Sequence, residues 1–165
     1  MSEKKNNNLK LWEMVETTDP EFTTKVNQRG GFTAIGAQYQ IKNATEVFGS
    51  FGHGFGGKDE KYTPILNDTL IVYTATFFYK LDVEEEDGVL IVGEFPISSS
   101  IKVMMGNRLD DDCIKKVQTD AITKGLSRLG FNADVFMGRF DDNKYVNATG
   151  GTPASKDTQG KEEWL

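Results

Sequence analysis

Lys124 and Arg128 stand four residues apart, which puts both on one side of a helix, with Lys116, Asp120, Thr123 and Ser127 bordering them. Cations in a row, interleaved with hydroxyls, can hold a sugar–phosphate backbone by charge and hydrogen bonding. Lys25 and Arg29 repeat the four-residue spacing upstream, and Lys102 and Arg108 lie just ahead of the same helix. The same residues would equally make a solvated helix face, so spacing alone does not choose between the two.

Other chemistries find less material. There is one histidine, His53, and one cysteine, Cys113. Together they cannot build a zinc site unless carboxylates supply the remaining ligands. Cys113 falls in the first turn of the long helix beside Ile114, where a small buried residue is expected. Asp110, Asp111 and Asp112 are explained by helix capping and the helix dipole rather than by a metal. The glycine-rich segment from Gly49 to Lys58 contains Gly52, Gly57 and Lys58 at the spacing of a phosphate-binding loop. Asp59 stands where that loop needs a Ser or Thr for magnesium, and the segment follows a helix instead of a strand. A turn with Phe51 and Phe55 tucked inward is the plainer expectation. No catalytic group, metal or cofactor is expected.

The chain has 165 residues, 38% of them hydrophobic and 11 of them Phe, enough for one domain with one core. A lone cysteine forms no intramolecular disulfide, which fits a reducing compartment. The opening Met1–Asn8 stretch lacks the apolar core of a secretory signal, and no apolar run is long enough to suggest a membrane span. A cytoplasmic protein is expected. The net charge of −6 argues against a uniformly basic nucleic-acid binder. The acids cluster, however, at Glu84–Asp87, Asp110–Asp112 and Glu162–Glu163. Screening over about 8–10 Å lets a basic groove coexist with such acidic segments.

Residues 1–8 are polar and expected to be disordered, 9–146 form the domain, and 147–165 form a flexible, acidic-tipped tail. Leu11, Trp12 and Val15 predict a short helix from Leu9 to Thr17. Asp19-Pro20-Glu21 predicts the start of another, carrying Phe22, Lys25, Val26 and Arg29 as far as Gly30. A further helix is expected from Thr33 to Phe48. Three strands follow, near Tyr62–Leu66 with Pro64 at a sheet edge, at Thr69–Leu81, and at Val89–Ile97. On the second, Ile71, Tyr73, Ala75, Phe77 and Tyr79 share one face. The longest helix ends at Leu129 with Ile114, Val117, Ala121, Ile122, Leu126 and Leu129 as its apolar stripe. Val135, Phe136, Phe140 and Tyr145 anchor a closing segment. The fold class is therefore α+β: a three-stranded antiparallel sheet packed on a long helix, a β-β-β-α core, with N-terminal helices.

The segment from Lys115 to Asn132, KKVQTDAITKGLSRLGFN, resembles the signature helix of the Rad-fifty-two-type single-strand annealing proteins, in a phage-like form. Thr119-Asp120 and Gly130 take the places of the Thr-Asp pair and the small-residue end. Asp141-Asp142-Asn143-Lys144-Tyr145 resembles the closing segment, and Asn43-Ala-Thr-Glu-Val-Phe-Gly49 the turn before the first strand. The resemblance covers roughly residues 9–146. It implies rings or filaments with a positively charged groove that holds one strand and leaves its bases open to a complement. By position it assigns Lys124 to the groove, Arg128 one place away from a groove cation, Arg29 near an N-terminal contact and Lys102 just after the sheet. Thr123 and Ser127 depart from it, standing where basic residues are common.

The expected function is single-stranded DNA binding and strand annealing in recombination, as a homo-oligomer and without catalysis. The contact set is Lys25, Arg29, Lys102, Arg108, Lys116, Thr123, Lys124, Ser127 and Arg128. The tail is expected to recruit a partner such as a single-strand binding protein or an exonuclease. The competing readings are an oligomeric structural module that binds no DNA, and a nucleotide hydrolase built on the Gly49–Lys58 loop.

Overall fold

The structure is a computed structural model that describes residues 7–27, 31–83 and 89–141. Helix α1 (Lys10–Val15) leads, through a single 3-10 turn at Pro20–Phe22, into strands β1 (Thr23–Val26) and β2 (Phe32–Ile35). Helix α2 (Ala37–Phe48) follows, then β3 (Phe55–Ile65), β4 (Leu70–Val83) and β5 (Val89–Lys102). A small hairpin of β6 (Met104–Met105) and β7 (Arg108–Leu109) precedes the long helix α3 (Cys113–Arg128) and the short α4 (Ala133–Phe136).

Strands β3, β4 and β5 form one antiparallel sheet in that order, with β4 central. Successive side chains of a strand point to opposite faces. On β4 this sends Tyr73, Ala75 and Phe77 into the core. Helix α3 lies on that face through Val117, Ala121, Ile122, Gly125 and Leu126, all buried. Gly125 sets the closeness: a Cβ there would stand 2.8 Å from the Phe77 ring. Phe48 closes the end of the core, its ring centroid 5.5 Å from that of Phe131 and 5.4 Å from that of Tyr79. The expected α+β arrangement is thus present, and β3, which carries Pro64, is an edge strand as expected.

The N-terminal half departs from expectation. Asp19 does cap the turn at Pro20, its carboxylate accepting from the Glu21 amide at 3.0 Å, but the turn is not extended into a helix. Thr23, Thr24 and Val26 are β-branched, and such side chains favour the extended backbone. They pair antiparallel with β2, from Thr23 opposite Ile35 to Val26 opposite Phe32. Thr33–Ile35 therefore belong to a strand, and α2 starts only after Gly36. An isolated two-stranded hairpin is marginal in water. This one gains support from a small apolar cluster of Ile35, Val135 and Phe140, while Phe22 just before it stacks on Tyr39 at 4.3 Å.

Further corrections concern single elements. Strand β3 begins at Phe55 rather than near Tyr62, because Phe55–Lys58 pair with Thr76–Tyr79 of β4. Strand β5 runs to Lys102 rather than stopping at Ile97. Phe55 is buried but Phe51 is exposed. Ile114 is exposed as well, and Cys113 takes the inward position beside it. Phe136 faces outward while its neighbour Val135 is buried. Arg29, the acidic Glu84–Asp87 turn, Tyr145 and the tail lie outside the described residues. Among the described residues no helix is long and apolar enough to cross a membrane.

A buried polar cluster fastens the N-terminal segment to the chain after α3. Asp134, fully buried, accepts from the Thr18 amide at 2.8 Å and from the Thr18 hydroxyl at 2.5 Å. Asn132, in the left-handed region at φ 58°, donates through Nδ2 to the same hydroxyl at 2.9 Å. Its own amide donates to the Val15 carbonyl at 3.0 Å. Hydrogen bonds to a buried carboxylate contribute more than neutral ones, so Thr18→Val should cost about 3 kcal/mol. Urea unfolding checks this; a midpoint unchanged from wild type would contradict it.

Candidate nucleic-acid interface

A groove of about 410 Å³ runs between α3 on one side and β2 with α4 on the other. From α3 come Asp120, Thr123, Lys124 and Ser127, which the 3.6-residue helical repeat sets on one flank. From the opposite wall come Phe32 and Phe136, whose exposures are 48% and 61%. Gln40 of α2 lies in the groove, its Nε2 donating to the Ser127 hydroxyl at 3.3 Å and to the Phe131 carbonyl at 3.5 Å.

The charges are held in place from the sheet side. Lys124 donates to Asp120 Oδ2 at 2.6 Å. The same carboxylate oxygen accepts from the Ser99 hydroxyl of β5, which fixes it against the sheet. The Lys124 side chain remains 63% exposed, so the pair is a surface ion pair worth no more than about 1 kcal/mol, and a phosphate can compete for the ammonium. Arg128 donates from Nη1 to the Pro96 carbonyl at 3.3 Å and is otherwise exposed. The Thr123 hydroxyl donates to the Asp120 carbonyl at 3.0 Å, and that of Ser127 to the Thr123 carbonyl at 2.8 Å. Both hydroxyl protons are thus committed to the helix, and each must rotate away before it can donate to a phosphate.

The nine expected contact residues do not form one strip. Thr123, Lys124 and Ser127 share the groove, and Arg128 lies one turn beyond Lys124 on the same helix. Lys25 sits on β1, with Nζ 3.4 Å from the Phe140 carbonyl, so no helical face joins it to position 29. Lys102 and Lys116 border a separate cavity of about 680 Å³, lined also by Met104, Met105 and Asp110. Arg108 lies on the small hairpin that contributes those methionines.

Lys116 is engaged rather than available. Its ammonium lies 3.0 and 2.8 Å from the two oxygens of Asp110, whose side chain is only 6% exposed. Asp110 also accepts from the Asp112 amide at 3.1 Å. Asp112 holds the N-cap position of α3 without a side-chain capping bond. Among the described residues no three potential metal-ligating side chains come together.

Phe32 and Phe136 were not expected in a site. Phe32 opens a strand whose other residues, Thr33–Ile35, were expected to begin a helix. Phe136 was expected to anchor the closing segment, but α4 buries Ala133, Asp134 and Val135 and leaves Phe136 outward. Compared with protein-family models the chain matches none, and a search of curated proteins returns no match.

The Lys116 hydrogen bond lowers the Asp110 pKa, and the Asp110 hydrogen bond raises that of Lys116. The depressed acid makes the pair stabilising above the ordinary carboxylate range, and this is lost as pH falls through the folded Asp110 value. The raised base keeps it until pH climbs past the ordinary lysine range near ~10.4. In Lys116→Ala the Asp110 titration should move upward in a carboxyl-detected NMR experiment. An unmoved titration would show that the ion pair is not its cause.

Proposed function

We propose that this protein binds single-stranded DNA in the groove beside α3 and anneals complementary strands as an oligomer. The observation that carries the reading is the groove's composition: the Lys124 ammonium, paired with Asp120, and the hydroxyls of Thr123 and Ser127 on one wall, with Arg128 one turn beyond, and two exposed phenyl rings on the other. Single-strand binders combine these two elements, cations that follow the backbone and aromatic faces on which bases stack regardless of sequence. The helix following a three-stranded sheet, with Thr119-Asp120 at its centre, agrees with the family resemblance.

Phosphates meet Lys124 and Arg128, which exchange weak intramolecular partners for charge-assisted contacts. Bases lie toward Phe32 and Phe136. Two cations per subunit give a shallow salt response, each contributing about 0.7 to the slope of log affinity against log salt. Assembly of several copies along one strand compensates through effective concentration. Strands β3 and β5 end the sheet order on either side, and open strand edges are surfaces through which copies can associate.

The test is annealing of complementary fluorescent strands. Lys124→Glu/Arg128→Glu should abolish it with the circular dichroism spectrum unchanged. Phe136→Ala should weaken strand binding by about 1–3 kcal/mol, the usual worth of one stacked base. Asp120→Asn, which removes the carboxylate competing for Lys124, should strengthen it. Full annealing by the charge-reversed variant would refute the proposal.

A further inference from the structure

The sheet face turned away from α3 carries another cavity, of about 530 Å³, where the glycine-rich loop meets the ends of β3, β4 and β5. Phe78, Lys80, Val92 and Glu94 contribute from β4 and β5, Lys58 from β3 and His53 from the loop. The loop is drawn tightly onto the sheet. The Lys80 amide donates to the Gly54 carbonyl at 2.8 Å, and the Gly52 amide to that of Phe55 at 2.6 Å. Side chains are excluded from this turn: a Cβ on Gly54 would stand 1.8 Å from the Phe48 carbonyl oxygen. Gly56 holds φ 153°, a backbone conformation that residues with a side chain rarely adopt. The glycines therefore let the loop sit close against the sheet, where Gly52 and His53 line one side of the cavity.

The charge balance is unequal. Lys58 and Glu94 form an ion pair with each other. Lys80 has no side-chain partner among the described residues, and His53 is exposed at the rim. What remains is one uncompensated ammonium and one imidazole beside an aromatic ring, in a chain of net charge −6.

From this arrangement we infer that the cavity binds one nucleotide unit, its base against Phe78 and its phosphate on Lys80 and His53. Its size falls within the range of small-ligand sites, roughly 300–1,000 Å³. The inference is independent of the groove beside α3, which lies on the other side of the sheet.

The probe is N-methylanthraniloyl-AMP, titrated with the full chain and followed by fluorescence anisotropy. Saturable binding is expected, displaced by unlabelled AMP. Lys80→Glu and Phe78→Ala should each weaken it about tenfold or more with native circular dichroism. Lys124→Glu/Arg128→Glu should leave it unchanged, which separates this site from the groove. In that charge-reversed variant, displacement by AMP alone assigns the site to a free nucleotide; displacement also by an oligothymidylate assigns it to one unit of a strand. Either supports the inference. Absence of saturable binding by wild type, or wild-type affinity retained in both Lys80→Glu and Phe78→Ala, overturns it.

Discussion

The seating of α3 on the sheet decides what the rest of the molecule can do. Ala121 and Gly125 let the helix axis come close to β4, and Val117, Ile122 and Leu126 fill the space beside Tyr73, Phe77 and Ile97. Once those positions face inward, helical geometry leaves Asp120, Thr123, Lys124 and Ser127 on the opposite flank. The cations are thus displayed by the burial of their neighbours. A rotation of the helix by one residue would carry Lys124 out of the groove and leave a buried charge or a cavity in the core.

A second constraint gives the groove its other wall. The Thr18–Asn132–Asp134 cluster pins the chain just before the N-terminal hairpin to the turn after α3. Strand β2 and α4 then lie within reach of the helix, bringing Phe32 and Phe136 opposite Lys124. Buried polar clusters of this kind specify position more than they add stability, since every unmet group is costly.

Much of the core was legible in the sequence because it follows from local pattern. The alternation along Tyr73–Phe77, the stripe Val117–Leu126 and the position of Pro64 each reflect a short-range rule that the fold obeys. The hairpin of β1 and β2 was not legible. Asp19-Pro20-Glu21 is a true helix-start signal, but it is satisfied by a single 3-10 turn, and only pairing with residues 32–35 makes the extended form of Thr23–Val26 preferable. The extension of β3 over Gly56 and Gly57 was hidden because glycines carry no hydrophobic pattern. In the site, Lys124 and Ser127 could be placed beside each other by counting, whereas Lys116 could not be assigned to Asp110 without knowing that Asp110 is buried. The two phenyl rings depend on contacts between distant segments, which periodicity does not record.

The central claim is that a single strand lies between α3 and the β2–α4 wall. Backbone-amide hydrogen exchange of the full chain, with and without saturating oligothymidylate, tests it most directly. Binding should slow exchange together at residues 32–35, 123–128 and 135–137. Binding without protection of residues 123–128, or with protection confined to surfaces away from α3, would contradict it.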